Sequence, residues 1–110
     1  MNSQTVSFDA LRSLAFGSIS GTYAAIGTPF DYPVRLICIS NNTDGDIILS
    51  TNAVTDMLFI PAGSFKLFDF NTNRKNVDQM WVLPVGTQFY VKQSTAPTEN
   101  SVYIEALYGE

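Results

Sequence analysis

Histidine is absent from this chain and cysteine occurs once. The missing imidazole removes the commonest general base, the commonest zinc ligand and the Ser–His and Cys–His nucleophile pairs. We therefore expect no enzyme and no metal or cofactor site. The lone Cys38 has no partner for an internal disulfide and sits in the apolar run VRLICIS, where it reads as a small buried hydrophobe, in a reducing compartment or without a redox role. Charge is also scarce, at 15% of residues against the usual quarter. A surface this poor in charge suggests contact with other protein. The balance is acidic, with a net charge of −4 and a pI near 4.5. The cations Arg12, Arg35, Lys66, Arg74, Lys75 and Lys92 are scattered and form no basic stripe, so no nucleic-acid partner is expected. A long hydrophobic run is missing too. The uncharged stretch 13–30, SLAFGSISGTYAAIGTPF, is diluted by three Gly, five Ser or Thr and one Pro. That argues against a membrane span, and Asp9 ahead of Arg12 fits a signal peptide poorly. The stretch reads instead as chain packed against something apolar.

What is there is a series of short apolar runs, split by Gly, Pro, Asn, Asp and Ser. The 110 residues make one domain by length. Strands are expected at Leu14–Ile19, Thr22–Ile26, Pro33–Ser40, Ile47–Ser50, Met57–Ile60, Phe65–Phe70, Met80–Leu83, Thr87–Gln93 and Ser101–Tyr108, all rich in Val, Ile, Phe and Tyr. Regular spacing with turn signals between them predicts an all-β protein, an antiparallel β-sandwich of jelly-roll type with little or no helix. Residues 1–13 are expected as an N-terminal arm, with 14–110 as the sandwich. The best place for a short helix is Phe8–Ser13. An internal echo supports the strand reading, because FIPAGSFKLF and VLPVGTQFYV both place Pro-x-Gly-Ser/Thr ahead of a strand. Proline ends the ladder, glycine takes a positive φ, and the hydroxyl meets a free backbone group. This is a corner device rather than a ligand motif.

Several strands are apolar on both faces. In SVYIEALY, Val102, Ile104, Ala106 and Tyr108 share one side, while Tyr103, Glu105 and Leu107 share the other. FKLFDF sets Phe68 and Phe70 opposite Phe65 and Leu67. One small core cannot cover every such face, so subunit contacts are expected.

The stretch ISNNTDGDIILSTN is the most chemical-looking segment. Asn42, Asp44 and Asp46 stand at alternate positions, as in a helix-loop-helix calcium loop, but that motif wants Gly at 47 and Glu at 53, where this chain has Ile47 and Ala53. Asn41-Asn42-Thr43 matches a glycosylation acceptor without a secretion signal to support it. Asp44-Gly45 between apolar runs reads as a hairpin turn joining 33–40 to 47–50. FNTNRKN at 70–76 and STAPTEN at 94–100 read as loops, the latter a hairpin.

The run SLAFGSISGTYAAIGTPFDYPVRLICISNNTDGDIILS, with FIPAGSFKLFDF and LPVGTQFYVK…SVYIEALYG, resembles small virion structural proteins of tailed bacteriophages. The resemblance covers about Leu14 to Gly109 and rests on a texture of strands and turns. It implies a β-sandwich repeated in a particle as head decoration, or at the neck, collar or tail. Its partners would be other virion proteins and copies of itself, after synthesis in the bacterial host cytoplasm. No active-site residues come with it. The interface candidates are Leu14, Phe16, Ile19 and Tyr23 in the N-terminal segment, with the outward aromatics Tyr90 and Tyr103. The alternative is a carbohydrate- or receptor-binding module, in which Tyr32, Trp81 and Tyr90 stack on sugar rings and Asn42, Asp44 and Asp46 lie near a calcium ion.

Overall fold

The computed structural model describes residues 6–70 and 82–109. The apolar runs pair into strands β1 (Val6–Phe8), β2 (Arg12–Ala15), β3 (Ala24–Ala25), β4 (Val34–Asn41), β5 (Ile47–Ser50), β6 (Leu58–Ile60), β7 (Phe65–Asp69), β8 (Tyr90–Gln93) and β9 (Ser101–Gly109). Two antiparallel sheets pack together. The first has the order β1-β9-β4-β7, with β2 sharing the outer edge of β9. The second has the order β3-β8-β5-β6. With β1 and β2 taken as one interrupted strand, this is the eight-strand order of a jelly roll.

Alternation decides which residues enter the core. Val102, Ile104 and Ala106 of β9 face inward beside Ile37 and Ile39 of β4. Ile47 and Leu49 of β5, Ile60 of β6 and Val91 of β8 close the core from the second sheet. The register of β4 on β9 shifts between Val34 and Leu36. The extra residue, Arg35, changes the parity, so Val34 and Ile37 are both buried although they lie three apart. Each Val, Leu and Ile side chain of this core contributes about 1.5–3 kcal/mol by leaving water.

The repeated Pro-x-Gly-Ser/Thr segments are sandwich corners, as expected. Ser64 N donates to Pro61 O at 3.1 Å, and Thr87 N to Pro84 O at 3.2 Å. Gly63 and Gly86 occupy the third position of each turn with φ of 72° and 89°. The first turn carries the chain from β6 to β7, which lie in different sheets. The Thr87 hydroxyl donates to Pro84 O at 2.7 Å.

The N-terminal segment departs from expectation. Residues 6–8 and 12–13 of the expected arm are strand against β9. The segment 14–19 leaves the sheet after Ala15 through a 3-10 turn at Phe16–Ser18. Arg12 pins the segment down. Its buried guanidinium donates to Thr28 O at 2.8 Å, Ala10 O at 3.1 Å and Pro29 O at 3.3 Å, lies 3.3 Å from the Asp9 carboxylate, and covers the Phe30 ring at 4.2 Å. Gly27 makes room for its stem, since a Cβ there would stand 2.7 Å from Arg12 Cγ. Of the uncharged stretch 13–30, Ile19, Ile26 and Phe30 enter the core, whereas most of its other residues are exposed. Of the expected strand Met80–Leu83, Met80 and Trp81 lie outside the described residues, and Leu83 forms an isolated bridge with Val34.

Replacing Arg12 with alanine removes charged donors from three carbonyls and uncovers Phe30. We expect a loss of about 2 kcal/mol in urea unfolding, with the denaturant slope unchanged.

Candidate functional site

The segment 41–46 is built around Asn41, which is fully buried at the end of β4. Its amide nitrogen donates to Gly45 O at 2.8 Å, Ile60 O at 3.0 Å and Pro61 O at 3.3 Å. Its Oδ1 accepts from Thr43 N at 3.0 Å and from the Thr43 hydroxyl at 2.6 Å. Asp46 binds two further loops. Its carboxylate accepts from Ala62 N at 3.0 Å, and its carbonyl accepts from Ser94 N at 2.8 Å and Thr95 N at 3.1 Å. The Asp44 carboxylate accepts from Thr98 N at 2.6 Å and from the Thr98 hydroxyl.

Three connections between the sheets therefore meet here, β4 to β5, β6 to β7 and β8 to β9. This corrects two expectations. Neither the Asp44-Gly45 segment nor 94–100 is a hairpin, because each leaves one sheet for the other. Gly45 is not among the positive-φ glycines. Its place is set by space, since a Cβ there would collide with Thr95 O and stand 2.8 Å from Pro97 N. Polar side chains concentrate here because backbone groups of crossing loops lose their ladder partners and need others.

As a ligand site the segment is dispersed. Asp44 and Asp46 are bonded to separate loops, Asn42 is exposed, and Trp81 lies outside the described residues. Among the described residues, no group of three His, Cys, Asp or Glu is placed to hold a metal ion. Tyr32 is stacked on Tyr108 with centroids 4.0 Å apart. An apolar hollow of about 190 Å3 lies between the sheets, lined by Ile37, Leu49, Met57, Phe68, Phe70 and Leu83 among others.

The outer face of the first sheet carries several exposed apolar side chains. Its residues line up across the strands by register. One row runs Phe8, Leu107, Leu36, Asp69. The next runs Glu105, Cys38, Leu67, and a third runs Tyr103, Ser40, Phe65. Phe8 is 81% exposed, Phe65 66% and Leu67 56%. Tyr103, expected at an interface, belongs to this face. Cys38, expected to be buried, is half-buried.

The outer face of the second sheet carries Ile48 between Phe59 and Lys92, with Tyr90 beside Ala25. Lys92 Nζ lies 3.0 Å from the Asp56 carboxylate and 4.9 Å from the centre of the Tyr23 ring. The Tyr23 hydroxyl donates to Asp56. Burial, the Asp56 hydrogen bond and its charge push the Tyr23 phenol up to about 12. Bonds from Tyr23 and Lys92 hold the Asp56 carboxyl below its ordinary value. Tyr23 and Tyr90 thus belong to this face. Of the other interface candidates, Phe16 is exposed at 40%, Leu14 packs against the core, and Ile19, at 5% exposure, is inside it. Ile19 is spent on folding because the 3-10 turn at 16–18 swings it inward. The two-faced pattern of β7 and β9 points to the outer face of the first sheet, but Phe8 lies in the segment expected as an arm, so its place on that face is not legible from the pattern.

Removing the Asn41 side chain strands buried carbonyls at the junction, so Asn41→Ala should cost about 3 kcal/mol in urea unfolding. Hydrogen bonds from the Thr98 side chain and backbone hold the Asp44 carboxyl below its ordinary value. Its contribution is complete above the ordinary carboxylate pKa of about 4 and is lost as pH falls through the lower folded value. We expect Asp44→Asn to flatten the acid limb of melting temperature against pH and to leave its shape near neutrality unchanged.

Among the described residues no helix is long and apolar enough to cross a membrane. Comparison of the chain with protein-family models, curated proteins and solved structures finds no match.

Proposed function

We propose that this chain is a non-enzymatic structural subunit of a tailed-phage virion, serving as head decoration or as an accessory of the neck, collar or tail. The observation that carries the reading is the outer face of the first sheet, where Phe8, Leu36, Phe65, Leu67 and Leu107 lie in register and the other side of the two central strands, β4 and β9, already forms the core. Aromatic and aliphatic side chains gathered on one exposed surface are the usual mark of a protein contact. Contacts of this kind, repeated by the symmetry of a particle, hold through avidity that no single contact supplies. A rigid jelly roll suits such a role because it presents the face without paying to order it. The resemblance of the strand-and-turn texture to small phage structural proteins supports the same reading. The sugar-binding alternative has less behind it, since Tyr32 is stacked on Tyr108 and Asp44 and Asp46 are bonded to different loops.

Mass spectrometry of gradient-purified particles from the phage that encodes the chain tests this reading. The chain should be present in fixed ratio to the major capsid protein. Its absence from washed particles would overturn the proposal.

A further inference from the structure

We draw no further inference here: the strongest candidate, the apolar hollow between the two sheets lined by Ile37, Leu49, Met57, Phe68, Phe70 and Leu83, carries nothing because nothing in the structure shows what covers it.

Discussion

The pairing of β4 with β9 is the contact on which the rest of the structure depends. Both strands are apolar on both sides. Inward, Ile37 and Ile39 meet Ala106 and Ile104 and form the middle of the core. Outward, Leu36 and Cys38 meet Leu107 and Glu105 and form the middle of the exposed face. A one-residue slip would exchange these sides, so the buried isoleucines also fix which side chains form the outer face. The bulge at Arg35 is the local adjustment that lets Val34 join the core without giving up this register.

The second constraint is that the chain changes sheets repeatedly. Each crossing takes backbone groups away from a ladder and demands other partners. Asn41 meets that demand at one end of the sandwich, with Thr43, Asp44 and Asp46 extending the same network to the loops at 61–64 and 94–98. A segment that looks like a calcium loop in the sequence is, in the structure, the fastening of three connections. Its carboxylates are turned to neighbouring backbone instead of converging on a common point.

Much of the fold could be read from residue pattern. Ile47–Ser50 falls on β5 without adjustment, and β4, β6, β7 and β9 fall within a residue or so of expectation. These strands have clear alternation and clean turn residues at their ends. The twin Pro-x-Gly turns were legible because proline and positive-φ glycine are local constraints. Less was legible where tertiary contact decides. Nothing local in 6–13 signals a strand, because β1 and β2 are short and held by β9 and the Arg12 guanidinium. Asp44-Gly45 has the local chemistry of a hairpin, yet the strands on either side belong to different sheets. The exposed face was half visible, since the sequence marks β7 and β9 as two-faced but cannot say that Phe8 lies beside Leu107.

Cys38 gives the most direct test of the claim that the outer face of the first sheet is a contact surface. It is the only cysteine of the chain, and it lies in the middle of that face between Glu105 and Leu67. The measurement is its alkylation rate, read by mass spectrometry, in the free chain at low concentration and in purified particles. The account predicts reaction in the free chain and strong protection in the particle. Equal rates in the two states would contradict it.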